Sequence, residues 1–221
     1  MTTADNSIFA LFLLAMPMHS LADTIDTTGQ APYEQCGYCH EYDGNSIMPG
    51  FPRLAGQTSE YIAKQLRDFR AGKRHGQMQA TAELLSDEDI QDVAGYFSSQ
   101  PVIVRSAERL PSSQSRIAKQ LVQQGDADRN IPACVSCHHQ NVEGLKTFPR
   151  LAGQHQDYLF TQLMAFKTGK RDNDHDGQMR KISRALTEQE MQILARYLAS
   201  LISSDQGAMH YKNRQKGQQD G

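Results

Sequence analysis

All four cysteines of this 221-residue chain fall in two copies of one pentapeptide, Cys36-Gly37-Tyr38-Cys39-His40 and Cys134-Val135-Ser136-Cys137-His138. Two thiols at this spacing can each add to a haem vinyl group, and the histidine beside them can ligate the iron. Other chemistries use the same thiols differently: a Cys-x-x-Cys pair can be a redox dithiol, a structural disulfide or half of a zinc site. A four-cysteine zinc site usually brings its pairs within roughly 15–20 residues of each other, whereas 94 residues separate Cys39 from Cys134. Neither a dithiol nor a zinc pair needs a histidine directly after the second cysteine, yet both copies have one. The expected chemistry is therefore two covalently bound c-type haems. Cys36, Cys39, Cys134 and Cys137 would attach them, with His40 and His138 as proximal iron ligands.

The elements around these motifs are duplicated. Residues 52–57 and 149–154 both read Pro-Arg-Leu-Ala-Gly-Gln. The match runs on through Tyr61/Tyr158, Gln65-Leu66/Gln162-Leu163, Phe69/Phe166 and Gly72-Lys73/Gly169-Lys170, then Gly76-Gln77-Met78/Gly177-Gln178-Met179, Leu85/Leu186 and Tyr96/Tyr197. The offset is 98 at the cysteines, 97 in the middle and 101 from Met78 onward, so one loop is four residues longer in the second copy. A period this long means two tandem domains, since solenoid repeats have periods of about 20–50 residues.

Duplication also tests the sixth iron ligand, because equivalent irons should use equivalent residues. Histidine and methionine are the usual candidates. Met78 and Met179 match, lying 38 and 41 residues beyond their proximal histidines. Met48, Met164 and Met191 have no methionine counterpart and read as packing residues, a common use of this flexible side chain. His75 corresponds to Asp176 and His139 to Glu41, so both fail the test. Pro52 and Pro149 do match, and each could accept the free ring N–H of its proximal histidine, fixing the ring and raising its basicity.

Helical spacing accounts for the rest of each copy. Ile62, Leu66 and Phe69, like Leu159, Leu163 and Phe166, lie on one face of a helix that stops at Gly72 or Gly169. Ser86 with Asp89, and Thr187 with Glu190, look like capping boxes. They open helices with apolar faces Ile90, Val93, Ala94, Phe97 and Met191, Leu194, Ala195, Leu198. Ile117, Leu121 and Val122 suggest a further helix in copy two, abbreviated in copy one. No stretch alternates as a strand does, so the expected fold is all-α.

Ile8 to Met18 is short and mostly apolar and is followed by Ser20-Leu21-Ala22. This pattern predicts a secretory signal peptide over residues 1–22, cleaved after Ala22, although the leading segment has no Lys or Arg. It is shorter than the about 20 apolar residues a membrane span needs, and if retained it would make a peripheral anchor. Haem attachment on an exported chain points to the periplasm. The expected domains are residues 23–104 and 105–205, joined near 101–112, with 206–221 a polar flexible tail.

Composition fits domains that borrow core from a cofactor. The hydrophobic fraction is 38%, below the usual 45–50% even after glycine replaces tyrosine in the count. Residues 23–104 carry six Lys/Arg against twelve Asp/Glu, and residues 105–221 seventeen against twelve. A near-neutral total thus hides a dipole able to orient the molecule at charged partners. Lys212, Arg214 and Lys216 make a weak basic tail, and nothing further points to nucleic acid.

The paired haem motifs, both Pro-Arg-Leu-Ala-Gly-Gln segments, Tyr-x3-Gln-Leu-x2-Phe-x2-Gly-Lys and the later methionines resemble the dihaem cytochrome c4 family over about residues 29–201. The resemblance implies two class I cytochrome c domains, each with a His/Met-ligated haem. It further implies electron transfer in the periplasm between the cytochrome bc1 complex and a haem–copper terminal oxidase. Both axial positions would be filled, leaving no site for substrate, so an electron carrier is expected rather than an enzyme. The alternatives are an electron-transfer subunit of a larger oxidoreductase, or a dihaem redox enzyme with one labile axial ligand.

Overall fold

In the computed structural model, which describes residues 31–103 and 110–201, regular structure is helical, and strand-like pairing among these residues is confined to isolated bridges, Asp126 with Ile131 and Leu145 with Phe148. The first half contains α1 (Gly37–His40), α2 (Ser59–Arg70), α3 (Met78–Glu83) and α4 (Asp87–Ser99). The second contains α5 (Ser112–Gln123), α6 (Val135–His138), α7 (Gln156–Thr168), α8 (Gln178–Ala185) and α9 (Glu188–Ser200). The expected leader (residues 1–22), residues 104–109 of the linker and the tail with Lys212, Arg214 and Lys216 lie outside the described residues.

Both capping boxes form. Asp89 N donates to Ser86 Oγ at 3.1 Å while Ser86 N donates back to the Asp89 carboxylate at 2.8 Å. Glu190 N and Thr187 repeat the pattern at 3.2 and 2.9 Å. Each box satisfies donors that the first helical turn would otherwise leave open. At the C-terminal end of α7, Gly169 takes the left-handed conformation (φ 76°) that ends the helix, a shape glycine adopts without a Cβ penalty.

Two separate cores result. In the first half α2 packs on α4, burying Ile62, Leu66, Ile90, Val93 and Phe97. In the second α7 and α5 both pack on α9, burying Leu121, Val122, Leu159, Met191, Leu194 and Leu198. Burying each such large side chain contributes about 1.5–3 kcal/mol. Two expectations shift here. Ile117 is 42% exposed, with Ala118 taking the inward place on α5. Met48 is 39% exposed on a loop and does not serve as a packing residue, unlike Met191, which is fully buried. Helices α3 and α8 lie outside the elements expected from periodicity: α3 spans six residues, too few to show a repeat, and α8 only eight, with its period confined to Met179, Ile182 and Leu186.

The Pro-Arg-Leu-Ala-Gly-Gln segments occupy matching places. Leu54 and Ala55 N–H both donate to Gly44 O, and Leu151 and Ala152 N–H to Val142 O, at 2.8 and 3.1 Å in each half. Gly56 N then donates to Phe97 O on α4, as Gly153 N does to Leu198 O on α9. Glycine is required at the first of these, because its φ is +60° and a Cβ there would meet the Val102 side chain at 2.3 Å.

Candidate haem sites

Each Cys-x-x-Cys-His motif folds as a single helical turn. The first cysteine stands at the N-cap, and His40 N and His138 N donate to its carbonyl, both at 2.9 Å. Positions i, i+3 and i+4 of a helical turn share one face, so two thiols and one imidazole are presented together. This is why the motif needs its two-residue spacer.

The histidines are held alike. His40 Nδ1 lies 2.8 Å from Pro52 O, and His138 Nδ1 lies 2.8 Å from Pro149 O. A carbonyl can only accept, so Nδ1 carries the proton and donates, leaving Nε2 with its lone pair for a metal. Burial pulls both imidazoles below their usual pKa, more than the proline carbonyl raises them. They are therefore neutral near pH 7, the form that ligates iron. Phe51 and Phe148 stand edge-on to the two rings at 6.1 and 6.4 Å.

None of the four thiols is in a disulfide. Cys36 lies in the first core and Cys134 packs against the second, so the two pairs belong to separate sites. Burial pushes both thiols up to about 11. Cys39 is half-buried and Cys137 exposed.

Met78 opens α3 and packs against the same core that contains Cys36. Met179, the second residue of α8, is half-buried, and Ile182 one turn later packs with Cys134 against the second core. Free thiols, an imidazole with Nε2 available and a thioether in each half match the donor set of haem c.

The two halves also meet in a contact that periodicity and motif spacing leave unannounced, and it uses the duplicated residues on both sides. Gln57 Nε2 donates to Arg150 O at 3.1 Å and Gln57 Oε1 accepts from Arg150 N at 2.6 Å. Gln154 does the same for Arg53, at 2.9 Å to the carbonyl and 2.8 Å from the N–H. Arg74 donates to Tyr158 OH and Gln162, and Arg171 donates to Tyr61 OH and Gln65. Thr58 and His155 occupy equivalent places, and each reaches a carbonyl of the opposite haem-motif loop, Lys146 O and Ser46 O. A readable signal existed: Gln65 and Gln162 repeat on faces otherwise given to Ile, Leu and Phe.

Two cysteine–histidine turns with proline-anchored imidazoles in an all-α fold define a c-type cytochrome. The profile of the family described as Cytochrome c matches residues 118–201, and that of Cytochrome C oxidase, cbb3-type, subunit III matches residues 25–97. Cytochrome c4 of Stutzerimonas stutzeri is 36% identical over 211 residues, covering 89% of this chain and 99% of that protein. The crystal structure of reduced recombinant cytochrome c4 from Pseudomonas stutzeri aligns at 36% identity with a TM-score of 0.71, covering 78% of this chain and 97% of that one. A thiosulfate dehydrogenase electron acceptor of Stutzerimonas stutzeri (strain A1501) is 38% identical over 175 residues, 78% of this chain and 81% of that protein. The chain belongs to the cytochrome c4 family. It is a dihaem electron-transfer protein with covalently bound haem c.

Proposed function

We propose that this protein carries electrons in the periplasm, from the cytochrome bc1 complex to a haem–copper terminal oxidase, through one haem in each of two domains, residues 23–104 and 105–205. Cys36 and Cys39 attach the first haem, with His40 and Met78 as axial ligands. Cys134 and Cys137 attach the second, with His138 and Met179. When bound, the haems supply a one-electron iron couple, and thioether ligation raises its potential. The remaining work belongs to the chain. Pro52 and Pro149 keep each imidazole in one tautomer and orientation.

The observation that carries this reading is the identity of the two anchors. His40 and His138 hold the same tautomer against the same acceptor at the same 2.8 Å. Two equivalent sites, each closed in this reading by its own methionine, suit transfer rather than turnover. The apolar segment before Ser20-Leu21-Ala22 supports export, and no helix among the described residues is long and apolar enough to cross a membrane. The acidic first half and basic second half favour oriented docking. Within the first half, Lys64, Arg67, Arg70 and Lys73 line one surface groove, so the acidic residues dominate elsewhere.

Absorption spectra of the oxidised and reduced holoprotein test the carrier reading. Two low-spin haems with methionine–iron charge-transfer absorption are expected, and a high-spin haem or rapid carbon monoxide binding would refute it. Periplasmic fractionation, with reduction by bc1 complex and oxidation by the terminal oxidase, tests place and partners.

The likeness to a thiosulfate dehydrogenase electron acceptor supports a second reading, in which such an enzyme is the donor. Thiosulfate-dependent reduction in its presence, without bc1 complex, would favour that reading.

A further inference from the structure

Arg74 and Arg171 are among the least exposed charged residues of the described chain, at 9% and 8%. Each lies over a phenylalanine of its own half, Phe69 at 4.6 Å and Phe166 at 4.5 Å. Within its own half Arg74 donates to Gln65 at 2.7 Å, and Arg171 donates to Gln162 at 2.7 Å and through Nε to Asn173 Oδ1 at 3.0 Å. The rest of the fork crosses over. Arg74 Nη2 reaches Tyr158 OH at 3.0 Å and Gln162 Oε1 at 2.9 Å; Arg171 Nη2 reaches Tyr61 OH at 3.0 Å and Gln65 Oε1 at 3.1 Å.

Their position along the chain gives this arrangement a consequence. Arg74 stands four residues before Met78, and Arg171 eight before Met179. Both belong to the segment that leaves the long helix, α2 or α7, and enters the short helix bearing the methionine. Backbone bonds fix the start of that segment, Arg74 N to Asp68 O and Arg171 N to Ala165 O, both at 3.0 Å. The side chain then ties it to the opposite half. Planar guanidinium forks make such ties specific, because the donors are held in a rigid plane.

We propose that Arg74 and Arg171 are positioning residues that pin the methionine-bearing segment of each half to the other half, so that the axial methionine of one iron is restrained by the other domain. This rests on the ligand assignment of Met78 and Met179 made above. Loosening Tyr158, in the second half, therefore frees Met78 in the first, and loosening Tyr61 frees Met179.

The test uses the dihaem holoprotein and imidazole, which competes with methionine for ferric iron. Imidazole is titrated while the axial-methionine methyl proton resonances are followed by NMR, assigned through Met78→His and Met179→His. Tyr158→Phe keeps the ring and removes the hydroxyl acceptor, and Arg74→Gln removes the clamp itself. Tyr158→Phe is expected to let imidazole displace Met78 about tenfold more readily while Met179 keeps its wild-type midpoint, the ratio that follows from losing one charge-assisted hydrogen bond. Arg74→Gln, which loses the bonds to Gln65, Tyr158 and Gln162, should free Met78 at least as much. Tyr61→Phe should do the converse. Tyr158→Phe acting on Met179, on both methionines equally, or on neither would overturn the clamp. If Met78→His or Met179→His removes no methyl resonance, the ligand assignment itself falls, and the clamp with it. Should Arg74→Gln fail to fold, the two tyrosine variants decide alone.

Discussion

Replacing Gln57 by Ala should measurably loosen the joint between the two halves. The side chain is 6% exposed and makes two hydrogen bonds to one residue of the other half, accepting from Arg150 N at 2.6 Å and donating to Arg150 O at 3.1 Å. Alanine withdraws both partners at a site with little water. A typical net hydrogen bond is worth about 0.5–1.5 kcal/mol, and a polar group left without its partner costs about 1–3 kcal/mol. Two bonds therefore put the loss at about 2–4 kcal/mol. For a chain of this size each kcal/mol moves the melting temperature by roughly 2–4 °C, so the drop should be of the order of 5–10 °C. Gln154→Ala, which removes bonds of 2.9 and 2.8 Å to Arg53, should cost about the same. The double variant should cost less than the sum, because residues that share one interface are coupled. Since each half has its own core, its melting curve should broaden or split as the halves unfold independently. Differential scanning calorimetry of the holoprotein, with haem absorbance followed in parallel, reads all three quantities. A shift below about 2 °C for either single variant would place the glutamine among ordinary surface residues, whose substitution stays within about 0.5 kcal/mol, and the joint would have to be held elsewhere.

Met78→Ala or Met179→Ala should open one iron and lower its potential, seen as loss of half the methionine–iron charge-transfer absorption; an unchanged spectrum would refute that ligand. The side chain of Arg129, with Thr187, holds the Glu190 carboxyl down to about 2 from its usual 4.5. Because the folded-state pKa is the lower one, this contribution is complete above about pH 4.5 and is lost as pH falls towards 2. Urea midpoints of the wild type and Glu190→Gln should therefore converge across that window, and a constant gap would contradict the pairing. Thr187→Ala removes the cap of α9 and should cost about 1 kcal/mol, a fall of roughly 2–4 °C in melting temperature; no fall would mean that α9 is held by packing alone.

The long helices were legible because burial and period coincide in them. Ile90, Val93 and Phe97 lie at helical spacing, and the structure leaves them 0–1% exposed. Their starts were legible because Ser86 and Thr187 must satisfy backbone donors, which restricts the residue types that can stand there. Helix α3 was not, because six residues write no period into the chain; α8 does carry one, Met179, Ile182 and Leu186 at i, i+3 and i+7, but over barely two turns. The His–Pro pairing could be anticipated from matched prolines and the need of a ligating imidazole for an acceptor. Ile117 shows the limit of pattern reading. It fits the helical face of α5, but Ala118 lies nearer the direction of α9, and direction is set by the partner helix.

Duplication was first a sign that the fold repeats, and the structure gives it a second cause. A contact between two equivalent bodies related by a two-fold uses each surface twice, residue i of one meeting j of the other and the reverse. Gln57 meets Arg150 as Gln154 meets Arg53, and Arg74 meets Tyr158 as Arg171 meets Tyr61. In such a joint a residue type that suits one copy suits the other, so identity between copies is favoured by geometry as well as by descent. Thr58 and His155 are the instructive departure. They hold equivalent helix-start positions and both reach a carbonyl across the joint, yet their targets, Lys146 O and Ser46 O, are not equivalent in the repeat. The haem-motif loop is one residue shorter in the second half, as the change of offset from 98 to 97 records. Its carbonyls are therefore displaced relative to the joint, and the two halves reach them with side chains of different length. The two-fold holds where backbone spacing is equal and breaks where it is not: at the haem-motif loops, and at the four-residue longer loop of the second half, whose Asn173 reaches Gln65 and Asp68 across the joint, so it is at these two places that the two electron-transfer sites become distinguishable.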